Sequence, residues 1–219
     1  MTISEIADQT KSERARANRT RITAWQLSIE RHAMQLRAEL NLADFDPLEH
    51  DQALALIPNC EVWPAKNIPR LPFEHVIHFR TAGYQFGALA FKYPDGAIGI
   101  VFNDAHSSAD VRVYLMEEFF HIRLGHPPDK IRLYPQNGNH RTYSDRNEVE
   151  AFGSGVAALV PYGGLQDMLA AGIHIARIAE HYGVPLPIVE YRISVTQLGH
   201  LVSQCSLQMP LLMSVRHGK

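Results

Sequence analysis

"LMEEFFHIRLGHPP", residues Leu115 to Pro128, sets two adjacent glutamates and a histidine inside an apolar run and ends in glycine, histidine and two prolines. Leu115, Phe119, Phe120, Ile122 and Leu124 surround the polar residues, so a helix here has little face left for water. Ser107 and Asp110 have the spacing of a capping box that starts such a helix, while Gly125 and the proline pair end it. The stretch reads as a largely buried helix with a polar cluster on it.

Positions four apart on a helix lie about 40° apart around the axis, so Glu117 and His121 project from nearly one face, a turn apart, and can hold one ion together. Glu118 falls between them, where the general base of a His-Glu-x-x-His metalloprotease stands. A third ligand has to come from elsewhere, and "YSDRNEVEAFGSGVAALVP" supplies Glu150 as the natural candidate, with Glu148 equally near in sequence. Two carboxylates and one imidazole make a harder donor set than two imidazoles and one carboxylate, which moves preference from zinc toward manganese or iron(II). The plainer reading is a solvated helix face, since charged pairs at this spacing are common. His126 reads as a C-terminal cap interacting with the helix dipole.

Outward from this centre, "TRITAWQLSIERHAMQLRAEL" has helical periodicity from about Thr20 to Leu40, and Asp46-Pro47 reads as the start of a short second helix. "EVWPAKNIP", "HVIHFR", "FGALAFKY" and "AIGIVFN" predict three or four strands of a small antiparallel sheet, the last two joined by Pro-Asp-Gly. The helix after Ser144 or Asp145 stops at Pro161, and Gly153, Gly155 and Ala157 suit it to close helix packing. Gly-Ser-Gly inside it is not a nucleophile elbow, which needs a fifth residue and a strand-to-helix turn. The tail predicts two helices joined at Gly183-Val184-Pro185.

The chain has 219 residues, 46% of them hydrophobic and 20% charged, the make-up of an ordinary globular protein. A formal charge of −2 gives no whole-protein attraction to nucleic acid or anionic membrane. The basic run Lys11, Arg14, Arg16, Arg19 and Arg21 reads as a solvated helix end. Cys60 and Cys205 fit no Cys-x-x-Cys spacing and read as buried thiols. No apolar run reaches the roughly 20 residues of a membrane span and no secretory signal is visible, so a cytoplasmic location is expected.

The order Arg112, "EEFFHIRLGH", "EVEAFGSGVAALVP" resembles the ImmA/IrrE metallopeptidase family from roughly Ala97 to Pro161, and "IAEHYGVPLPIVEYRI" extends the likeness more loosely. The resemblance implies an α+β fold: a mainly helical, zincin-like core at residues 59–162 with a small antiparallel sheet, helical in its extensions at 1–58 and 163–219. It implies a metal-dependent endopeptidase with Glu118 as general base, His121 and Glu150 as ligands, and Glu117 in the place of the first histidine. The implied cofactor is a divalent ion, zinc by resemblance, and the implied partner is a helix-turn-helix repressor.

Two alternatives stay open. One is a relative that has lost hydrolysis and acts by binding a repressor or antitoxin. The other is a DNA-binding regulator using the tail helices, against which stands a second helix, "PIVEYRISVTQLGH", with one arginine and no lysine. Direct nucleic-acid binding is therefore not expected.

Overall fold

The computed structural model describes residues 24–67, 87–93, 95–127 and 145–202. In chain order the elements are α1 (Ala24–Glu39), α2 (His50–Leu54), β1 (Cys60–Pro64), β2 (Ala88–Lys92), β3 (Ile98–Phe102), α3 (Ser108–Arg123), α4 (Asp145–Leu159), α5 (Tyr162–Ala170), α6 (Ile175–Tyr182) and α7 (Leu186–Val195). The basic run near the N-terminus, "HVIHFR" and Cys205 lie outside the described residues. No described helix is long and apolar enough to cross a membrane.

The sheet has three strands in the order β1-β3-β2. The near-continuous apolar run of β3 suits it to the centre, where Ile100 and Val101 are buried on opposite faces. β2 pairs with β3 antiparallel, as expected, through a hairpin closed by the Tyr93 amide on the Ala97 carbonyl. Asp95 and Gly96 of the expected turn lie in this hairpin, and Pro94 falls outside the described residues. β1 runs parallel to β3, so the sheet is mixed rather than antiparallel throughout. The alternating apolar pattern fixes which face of a strand is buried but not its direction. Val62, Ala90 and Ile100 share the register and face the helices. On the other face Trp63 stacks near Phe91, and Phe91 meets Tyr93 edge-on.

α3 begins at Ser107, whose hydroxyl accepts from the Asp110 amide as the sequence predicts. It packs beside α4 in one core with α1 and the sheet, through Leu115, Met116, Phe119 and Phe120 from α3 and Ala151, Val156 and Leu159 from α4. α2 starts later than expected: Glu49 is its N-cap, in a capping box with Gln52, while the Asp46 carboxylate instead accepts from the Ala43 amide and closes the preceding turn. Pro161 both follows α4 and caps α5, a helix that the sequence reading does not contain. α6 and α7 meet at Gly183 to Pro185 as expected.

Arginines tie α1, α6 and α7 to the middle of the fold. Arg37 donates to the carbonyls of Ala158, Ala43 and Asp46, and its burial lowers its pKa. Arg192, 1% exposed, binds both oxygens of Glu30 and the Val160 carbonyl. Arg112 joins Glu49 to the carbonyls of Leu48 and Tyr182. The single arginine of the second tail helix is thus spent inside the protein.

Candidate metal centre

α3 runs along β2, and this alignment positions the polar cluster. The Tyr114 ring lies against Gly87, and a Glu118 oxygen accepts from the Ala90 amide at 2.9 Å. The odd residues of β2 turn their backbone groups toward β3, as the Gly87–Asn103 and Tyr93–Ala97 bonds show, so the Ala90 amide lies on the outer edge of the strand. Beyond it, Ala90, Phe91, Lys92, Ile98, His121, Ile122 and His126 line a cleft of about 210 Å³.

α4 comes close because Gly155 faces the α3 backbone. A Cβ at Gly155 would lie 3.1 Å from the Met116 carbonyl and 3.2 Å from the Glu117 amide. Glu148 is two turns earlier on that same stripe, whereas Glu150 is turned about 140° away from Gly155. The half-buried Glu148 therefore arrives opposite Glu117 and the buried His121. One donor atom from each of Glu117, His121 and Glu148 lies within 4.8 Å of the other two, the one such trio among the described residues. Glu150 stands outside it, with its carboxylate 3.5 Å from Nε2 of His126.

Gly125, at φ 68°, lets the chain turn at the end of α3, and the His126 amide then bonds back to the His121 carbonyl. This Schellman closure folds His126 over the helix end. The ring of His126 stands 5.0 Å from that of His121 between centroids, with their Nδ1 atoms 3.0 Å apart. His126 is thus engaged with His121 and Glu150 rather than acting as a simple dipole cap. Of the residues singled out in the sequence, the structure brings together Glu117 and His121; it adds Glu148 to them, holds Glu118 on the Ala90 amide and sets Glu150 against His126.

Residues 76–194 match the family model of the M78 peptidases, described as the IrrE N-terminal-like domain. The chain belongs to this family. The match takes in β2, β3 and α3 and continues through α6 into α7, so the IrrE-like region runs past Pro161 into the tail helices. No curated protein and no solved structure matches the chain. The family is metallopeptidase-like, and the trio on α3 and α4 fits a divalent ion by chemistry and spacing. An ion about 2 Å from each ligand atom needs those atoms roughly 3–4 Å apart, a gap that small side-chain rotations close.

Proposed function

We propose that the protein is a metal-dependent endopeptidase whose ion is held by Glu117, His121 and Glu148. The observation that carries this reading is the convergence of those three donors within 4.8 Å, with Glu118 beside Glu117 on α3 and held by the Ala90 amide of β2. Two carboxylates and one imidazole offset the charge of a dication and suit zinc, manganese or iron(II). A bound ion of this kind lowers the pKa of water and polarises a carbonyl.

The protein's own groups would do the rest. Ala90 orients the Glu118 carboxylate, which takes the proton from the attacking water and passes it to the departing amine. Among the described residues no strand pairs with the outer edge of β2, so an extended peptide can bond there at Ala88 and Lys92, on either side of the amide that Glu118 holds, and present its backbone to Glu118. The cleft between Ile98 and Ile122 would take an apolar side chain of that peptide. Kinship with the IrrE-like family supports a regulatory protein, such as a helix-turn-helix repressor, as substrate.

Incubation of the purified protein, stripped of metal and reloaded with zinc or manganese, with a repressor encoded beside its gene would test this by mass spectrometry of fragments. Glu118→Gln should retain the metal and lose cleavage by a factor of about 100 or more. Wild type that binds metal and the repressor but cleaves nothing would favour the binding-only relative, and wild type that binds no metal would sink the reading.

A further inference from the structure

The contacts around His126 go beyond this reading while resting on its ligand set. Nδ1 of His121 and Nδ1 of His126 are 3.0 Å apart, and Nε2 of His126 is 3.5 Å from Oε2 of Glu150. The side chain of His126 is 7% exposed and that of Glu150 19%, so water competes little for these atoms. Two neutral imidazole nitrogens at hydrogen-bond distance must share one proton between them: two protons repel, and two lone pairs leave the contact unbonded.

The direction of that bond follows from its ends. His121 has its Nδ1 turned to His126, so an ion in the trio would be held through Nε2, and an imidazole that coordinates through Nε2 carries its proton on Nδ1. His121 is then the donor and His126 Nδ1 the acceptor. The proton of a neutral His126 must therefore sit on Nε2, where the Glu150 carboxylate faces it. With an ion in the trio each requirement agrees with the next, and the opposite direction would set the lone pair of His126 Nε2 against a carboxylate.

We infer that Glu150 and His126 form a carboxylate–imidazole relay that fixes the tautomer and ring direction of His121. Both are positioning residues. Metal-bound histidines are commonly oriented this way by a carboxylate or carbonyl on their other nitrogen, and removing such a partner weakens metal binding about 10–100-fold. Here an extra imidazole is interposed, made possible by the turn at Gly125 that brings His126 back over His121.

The direct test is the tautomeric state of the zinc-loaded full-length chain, read by long-range proton–nitrogen NMR on histidine-labelled protein and assigned with His126→Gln and by the signals lost in His121→Gln. The expected result is a proton on Nδ1 of His121 and on Nε2 of His126; the reverse pair overturns the relay. Zinc titration against a competing indicator is the second arm. Glu150→Ala and His126→Ala should weaken zinc about 10–100-fold, while Glu150→Gln, whose amide oxygen still accepts, should weaken it less. Unchanged affinity in both alanine variants overturns the relay. Loss in Glu150→Ala as complete as in Glu148→Ala also overturns it, because Glu150 would then be a ligand. Failure of wild type to bind zinc or manganese rejects the proposed function and the relay with it, whereas binding by wild type with no change in the alanine variants rejects the relay alone.

Discussion

Gly155 lies against the peptide that joins Met116 to Glu117, with the Met116 carbonyl oxygen 3.1 Å from where a Cβ would be. The contact sets the separation of α3 and α4 at the level of the acidic cluster. Gly155→Ala would gain up to about 1 kcal/mol of helix propensity but must push on buried backbone, and overpacking costs about 1–3 kcal/mol. A net loss of roughly 1 kcal/mol is expected in denaturant unfolding. Gly153→Ala meets the end of the Ile29 side chain, which can rotate, and should lose less. If the alanine at 153 costs more than the one at 155, the backbone contact is not what sets the helix spacing.

Arg192 and Glu30 join α7 to α1 by two bonds of 2.6 and 3.1 Å, with Arg192 almost wholly buried. Removing one member of a buried pair costs about 3–5 kcal/mol, mostly by stranding the other charge. Glu30 is 26% exposed at its side chain, so Arg192→Met should fall at the lower end of that range. The double variant Glu30→Met, Arg192→Met should recover part of the loss. Equilibrium unfolding of all four proteins in the cycle checks this, and simple additivity would rule out coupling between the two.

The helices of the centre were legible because their signals are local: Ser107 with Asp110, Gly125 before the prolines, and glutamates and a histidine at one-turn spacing. The choice between Glu148 and Glu150 needed a second step. Gly155 already stood out as a close-packing position, and a residue seven earlier shares its face, so the stripe pointed to Glu148. The resemblance, which implies Glu150 as the ligand, ran against that geometry. The relay through His126 was not legible, since it depends on a turn folding back five residues on. The direction of β1 is not a local signal, whereas the start of α2 is: Glu49 and Gln52 have capping-box spacing, and Asp46 is taken up by the turn at Ala43.

Tyr182 is fully buried, and its hydroxyl donates to the Asp44 carbonyl at 2.9 Å. Burial pushes its pKa up from 10 to about 12. The unfolded chain loses this proton first, so the stability that the neutral phenol contributes is complete below pH 10 and disappears as pH rises toward 12. The loss across that window is at most about 2–3 kcal/mol. Tyr182→Phe removes both the bond and this titration. The variant should be less stable than wild type by about 1 kcal/mol at pH 8, and the gap should shrink or reverse between pH 10 and 12. A constant difference in unfolding free energy over that range would show that Tyr182 does not titrate abnormally.

Glu117 offers the sharpest test of the ion itself. It stands with His121 and Glu148 in the trio, at the place where the resemblance implies a histidine. As it is, the site pairs one imidazole with two carboxylates, a set that serves manganese and iron(II) nearly as well as zinc. Glu117→His replaces a hard oxygen donor by imidazole and removes one negative charge. Zinc should then bind tighter, by about tenfold, and manganese more weakly, so the ratio of the two affinities moves by more than either alone. Competition against a zinc indicator gives the first affinity, and displacement of manganese followed by its paramagnetic resonance gives the second. A general change in folding or charge would shift both metals in one direction; opposite shifts require residue 117 to touch the ion. Equal affinities in variant and wild type for both metals would take Glu117 out of the ligand set.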